Sequence, residues 1–169
     1  MARARHPDRA AEPRRRTRLS APSASALVAL AFDFGLRRIG IAAGDTLTGT
    51  AAPRSAARVH AHGPDWEHIA REIRARAPAV LIVGAPYNAD GTPGALTEPA
   101  RAFANELARR FKLPVEQIDE RWSSLEAGEQ LKAQRASGTR RRRIRPGDVD
   151  GMAAAVILER WMNARKDRP

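Results

Sequence analysis

Cysteine is absent from this 169-residue chain. No disulfide framework and no thiolate metal site can therefore form. Histidine is scarce: His6, His60, His62 and His68 stand in no spacing that suits a metal ion or an activated nucleophile. Aromatic residues make up only 5% against 43% hydrophobic overall, so the core has to be aliphatic and rich in alanine. No apolar run reaches the ~18 residues of a membrane span, and none has the form of a signal-peptide core. The protein is therefore expected to be soluble and cytoplasmic, with no membrane partner. Acids are also short, 19 against 30 lysines and arginines, leaving a net charge of +11. That balance favours a polyanionic partner such as nucleic acid, and arginine grips phosphate bidentately. The plainer source of the same bias is GC-rich coding, which enriches arginine and alanine together.

What is present falls into an arm and one domain. Residues 1–25 carry seven arginines against Asp8 and Glu12, with Pro13 and Pro22 and almost nothing apolar. Such a segment cannot bury enough surface to fold, so it is expected to be disordered. It serves either to track phosphates or as a solvated tail. Residues 26–165 are long enough for one domain with a substantial core, and 166–169 form a tail.

The domain is organised around LVALAFDFGLRRIGIAA, Leu27 to Ala43. A first apolar run ends at Asp33, the turn Gly35–Arg38 follows, and Ile39 to Ala43 returns as a second strand. Apolar on both faces, the first strand belongs in the middle of a covered sheet. Thr46 to Val59 reads as a turn and a third, edge strand, and His60 to Pro64 as a loop. Pro64 to Ala77 has helical spacing, with Trp66, Ile69, Ile73 and Ala77 on one face. Ala79–Val83 is a short buried strand that opens into GAPYNADGTPG, a long turn-rich loop of the kind that usually carries function. Thr97 can cap a second helix with Phe103, Leu107 and Phe111 as its stripe. Val115–Asp119 reads as a further buried strand, delivering Glu120. Ser123 with Glu126 fits a capping box for a helix to Gln134. An arginine-rich loop follows, and Asp148 can cap a last helix through Trp161. Five strands and these helices give a mixed α/β sheet with helices on both faces.

Three acids stand at comparable places: Asp33 ending the first strand, Glu120 ending the last, and Asp150 in the first turn of the final helix. If the two strands are parallel, Asp33 and Glu120 emerge on one sheet edge, where α/β proteins place their sites. Each acid alone has a plainer reading, as a turn residue, an ion-pair member and a helix-dipole residue respectively. Together, three carboxylates repel unless a cation lies between them, and Mg²⁺ or Mn²⁺ suits oxygen ligands. Two such ions support attack of water on a phosphodiester with no histidine or cysteine. Flanking basic residues would hold the substrate: Arg37 and Arg38 in the first turn, Arg121, and the cluster Arg140, Arg141, Arg142, Arg143 and Arg145. The plainer reading of that cluster is a solvated charge run.

The segments DFGLRRIGIA, GAPYNADGTPG, DERWSSLEA and DVDGMAAAVILERW, in this order and spacing, resemble the YqgF/RuvX family over about Leu27 to Asn163. Its members are described as pre-16S rRNA nucleases and Holliday junction resolvase-like proteins. The resemblance implies an RNase H-like fold, a divalent metal, and trimming of the 5′ end of precursor 16S rRNA on ribosomal precursor particles. By position, Asp33, Glu120 and Asp150 match the family's acidic triad. Gly35, Gly84, Pro86, Asn88, Asp90, Gly91, Arg121 and Ser123 match motif positions around the site, with Asn88 and Arg121 expected to contact nucleic acid. Ser124 stands where threonine is more usual, and Asp148 where a polar or basic residue is. Asp148 is either a fourth carboxylate or a cap. The competing expectations are a resolvase acting on branched DNA with the same chemistry, which would need a homodimer rather than a monomer, and a non-catalytic assembly or transcription factor. A two-lobed ATPase is excluded by length.

Overall fold

The computed structural model describes residues 26–88, 90–119 and 146–166, with side chains from 149 onward in the last segment. In chain order the elements are β1 (Val28–Phe34), β2 (Arg38–Asp45), β3 (Thr50–His60), β4 (Gly63–Pro64), α1 (Trp66–Arg76), β5 (Val80–Ala85), α2 (Thr97–Phe111), β6 (Val115–Asp119) and α3 (Pro146–Lys166). They form one mixed sheet in the order β4-β3-β2-β1-β5-β6. β1 pairs antiparallel with β2 and parallel with β5, which pairs parallel with β6.

Strand alternation sorts the core into two layers. Leu30 and Phe32 of β1, Ile39 and Ile41 of β2, and Leu81 and Val83 of β5 pack on one face with Ile69 and Ile73 of α1 and Phe103 and Leu107 of α2. Ala29, Ala31, Ala42, Val80 and Ile82 pack on the other with Ala154, Ile157, Leu158 and Trp161 of α3. Each fully buried aliphatic side chain contributes roughly 1.5–3 kcal/mol. The alanines on the second face let α3 lie close against the sheet. β1 takes the centre because both its faces are apolar, as its sequence pattern requires.

The helix ends follow local chemistry. The Asp65 carboxylate accepts from the backbone N–H of His68 at 3.0 Å and caps α1. Ala77 (φ 45°) and Lys112 (φ 54°) end α1 and α2 in the left-handed region. Pro78 and Pro114 follow within two residues, since neither could continue a helix.

Five sequence expectations need correction. The sheet has six strands, because Gly63 and Pro64 pair with His60 and Val59 rather than forming a loop. Pro64 thus precedes α1 instead of opening it. β6 is an edge strand and only partly covered, not buried. Thr97 is the first residue of α2 rather than its cap; Leu96 holds the cap position with no side-chain bond. Finally, α3 starts at Pro146, a residue suited to a first turn. Asp148 therefore lies inside the helix, and Asp150 falls in its second turn. The arm, the capping-box helix and the arginine cluster lie outside the described residues. Among the described residues no helix is long and apolar enough to cross a membrane.

Candidate active site

Asp33 is the penultimate residue of β1 and shares its strand face with Ala29 and Ala31, the face that receives α3. Its partner across the ladder is Gly40 of β2. A methyl group on Gly40 would fall 2.0 Å from the carbonyl oxygen of Asp150 and 2.5 Å from its carbonyl carbon. The backbone of α3 at Asp150 thus rests directly on β2 beside Asp33, a close approach only glycine allows. Asp33 and Asp150, far apart in sequence, are brought together by this seat.

The electrostatics record the meeting. Asp33 is pushed up to about 6, first because burial strips water from its carboxylate and second because the Asp150 charge lies nearby. Arg38, two residues before Gly40 and on the same face of β2, donates from Nε to Asp150 Oδ2 at 2.6 Å. Sequence reasoning missed both Gly40 and this pair. A glycine inside an apolar strand was the available signal for the first. The second is a contact between residues 112 positions apart, which no local pattern reveals.

Other candidates are placed as follows. Arg37 is exposed in the β1–β2 turn next to Leu36, which is also exposed. Asn88 sits in the loop after β5, where its side-chain nitrogen donates to Thr92 Oγ1 at 2.9 Å and to the Pro93 carbonyl at 3.3 Å. Thr92 in turn bonds Asp90 through its N–H and hydroxyl, which holds Asp90 below the usual carboxylate range. Thr97 accepts from the Gly94 N–H at 2.8 Å and donates to the Pro86 carbonyl, so its buried hydroxyl ties the loop shut. Asn88 is thereby committed to loop structure through its amide nitrogen. Glu120, Arg121, Arg140, Arg141, Arg142, Arg143 and Arg145 lie outside the described residues. Glu120 directly follows Asp119, the last residue of β6.

Among the described residues no three histidine, cysteine or acidic side chains form a metal-sized group. Asp33 and Asp150 nevertheless fit a hard divalent cation in kind. Both are oxygen donors, and Asp33 is desolvated and held up further by the charge of Asp150. Mg²⁺ commonly binds through one or two carboxylates with waters and substrate phosphates filling the remainder.

Comparison with known proteins supplies the lineage. The family model described as "RuvX: Holliday junction resolvase" matches residues 27–164. A relative from Xanthomonas campestris pv. campestris (strain B100) is 46% identical over 135 residues, covering 80% of this chain and 86% of that protein. One from Coxiella burnetii (strain Dugway 5J108-111) is 42% identical over 141 residues, covering 83% and 96%. Both carry the name "Putative pre-16S rRNA nuclease". The solved structure "T. thermophilus RuvC in complex with Holliday junction substrate" superposes with a TM-score of 0.50 at 15% identity, covering 83% of this chain and 96% of that one. That likeness concerns the fold alone, the RNase H-like mixed sheet. With the family match spanning all but the arm and the last residues, and relatives above two-fifths identity, the chain belongs to the RuvX family.

Proposed function

We propose that this protein is a metal-dependent endonuclease that trims the 5′ end of precursor 16S rRNA during ribosome maturation in the cytoplasm. The observation that carries the reading is the half-buried, desolvated Asp33 carboxylate set against the charge of Asp150 at the end of a central strand. An arrangement so costly in a metal-free protein has a purpose when a cation occupies it. The names of the relatives point to the substrate.

In this reading Asp33 and Asp150, joined by Glu120, hold Mg²⁺ or Mn²⁺. Such ions supply an activated water and stabilise the leaving oxygen in phosphodiester hydrolysis. The chain's own residues orient and exclude. Asp33, fixed in a strand, gives a rigid donor. Gly40 sets the depth of Asp150. Arg37 and Arg38 face the approach of the phosphate backbone, and the loop held by Asn88, Asp90 and Thr97 walls the edge beyond β5.

The test is cleavage of a precursor 16S rRNA fragment in Mn²⁺ by wild type, Asp33→Asn and Asp150→Asn. Removing a ligand that supports several kcal/mol of transition-state stabilisation should cut the rate at least about a hundredfold while RNA binding persists. Undiminished cleavage by either variant would overturn the mechanism. The family description also motivates a four-way DNA junction as a parallel substrate. Preferential, symmetric cleavage of the junction by a dimer would move the assignment from RNA to branched DNA. A protein that binds RNA tightly but cleaves neither substrate would be a non-catalytic assembly factor.

A further inference from the structure

We infer that Arg38 is a displaceable counter-ion: it occupies Asp150 in the metal-free protein and is released to clamp a substrate phosphate when a divalent cation binds. The proposal rests on the nuclease reading of the site and adds to it a coupling between metal and nucleic acid.

The geometry is specific. Arg38 and Asp150 meet at 2.6 Å through Nε and Oδ2. Charge-assisted contacts of this length are among the stronger hydrogen bonds available to a protein. Among the described residues this is the only hydrogen bond of the guanidinium, and it uses Nε alone. The Arg38 side chain is 41% exposed and that of Asp150 27%, so the cation lies on the solvent side of the carboxylate. Arg38 and Gly40 share one face of β2, and Gly40 fixes the Asp150 backbone. The carboxylate therefore cannot withdraw toward solvent with its helix. Whatever takes its oxygen must compete with the arginine.

A divalent cation held by Asp33 and Asp150 is such a competitor. Once it neutralises Asp150, the guanidinium loses its anion while still standing at the mouth of the site. A phosphate group, planar-matched to two guanidinium N–H donors, is the natural replacement. Metal binding and nucleic-acid binding then favour each other, and by reciprocity the coupling is the same read from either side.

Two variants and a charge control decide the matter. Mn²⁺ affinity is measured by calorimetry on the full chain without RNA, for wild type, Arg38→Gln, Arg38→Lys and Arg37→Gln. Affinity for a short uridine oligonucleotide is then measured by fluorescence anisotropy with and without Mn²⁺, in the cold, with integrity checked on a gel. Arg38→Gln should bind Mn²⁺ about tenfold more tightly than wild type, because a charge-assisted bond no longer has to break. Arg38→Lys should fall between, and it carries the test if Arg38→Gln fails to fold. Arg37→Gln removes the same unit charge one residue away without touching Asp150, so it should shift Mn²⁺ affinity far less. The enhancement of RNA binding by Mn²⁺ should be largest in wild type and shrink in Arg38→Gln. Equal tightening in Arg37→Gln and Arg38→Gln would reduce the effect to bulk charge and overturn the proposal, as would an unchanged Mn²⁺ affinity in Arg38→Gln. Failure of the nuclease reading has a different signature: wild type that neither binds Mn²⁺ at Asp150 nor cleaves RNA would remove both.

Discussion

Asp33 is the residue whose environment departs furthest from that of a free side chain at this site. Its carboxyl is pushed from 3.8 to about 6 by burial and by Asp150. The folded protein therefore keeps a proton on Asp33 across a range where the unfolded chain has lost it. Stability from this group falls as pH rises from about 4 to about 6 and stays low above that, a penalty of up to about 3 kcal/mol at neutral pH. An asparagine side chain at the same position carries no charge to desolvate. In a chelator, Asp33→Asn should thus be more stable than wild type at pH 7.5, by up to about 3 kcal/mol, and should lose that advantage toward pH 4. Urea unfolding of both proteins across this range checks it, because other carboxylates cancel in the difference. A difference independent of pH would mean that Asp33 is not desolvated in solution. Saturating Mn²⁺ should reverse the order, since only wild type offers the full donor set. Asp33 was legible in the sequence because a charge closing an apolar strand demands a reason. Asp150 was legible as a helix residue aimed at the sheet. Arg38, the partner of Asp150, read only as one more cation in a basic turn, because that ion pair spans 112 positions.

At the scale of elements, the site depends on how closely α3 approaches β2. Gly40, Ala42 and Gly44 alternate along β2 on the face that receives the helix, and α3 presents Gly151 in return. A methyl group at Gly44 would lie 2.9 Å from Leu158 Cδ2 and 2.8 Å from the Thr50 carbonyl oxygen; one at Gly151 would lie 2.9 Å from the Arg54 carbonyl oxygen. Most of these short contacts fall on backbone atoms, which cannot turn aside. Further along α3, Trp161 donates from Nε1 to Glu116 Oε2 at 2.7 Å and fixes the helix to β6. Gly40→Ala should therefore cost about 3 kcal/mol or more, at the upper end of overpacking changes. It should also weaken Mn²⁺ binding in whatever fraction remains folded, by lifting Asp150 away from Asp33. Thermal unfolding and calorimetry on Gly40→Ala read the two effects separately, and a stable variant with wild-type Mn²⁺ affinity would refute the seat. The same elements show where sequence patterning stops. Apolar runs on either side of a glycine turn marked β1 and β2, and a third such run marked β5. β4 escaped because two residues carry no period, and β6 read as buried because Val115 and Ile118, which pack on opposite core layers, hide that the rest of this edge strand is exposed. Thr97 looked like a cap, but its hydroxyl is claimed by the loop it closes.

For the whole molecule, direction of charge matters more than its sum. β1 and β5 run parallel, and α1 leads into β5 while α2 leaves it, so both helices turn their amino ends toward the edge that carries Asp33. Aligned peptide dipoles add positive potential there, on the side where Arg37 and Arg38 also stand. The folded part can thus draw a polyanion to the edge that carries Asp33 without help from residues 1–25. Those residues still hold seven of the chain's arginines. If the arm tracks phosphates under the proposed function, it would add affinity blind to sequence and position, and the domain would decide where the backbone is cut. On this division, a protein lacking residues 1–25 should bind single-stranded RNA more weakly, and the plot of log affinity against log salt should flatten. Each arginine that no longer meets a phosphate removes about 0.7 from the slope, so the loss is bounded at about 5. The cleavage position on precursor 16S rRNA should not move. Anisotropy titrations at several salt concentrations, together with mapping of the cut end, measure both quantities on the same two proteins. An unchanged slope would place the arm off the RNA, and a shifted cut would make the arm part of substrate selection rather than of grip.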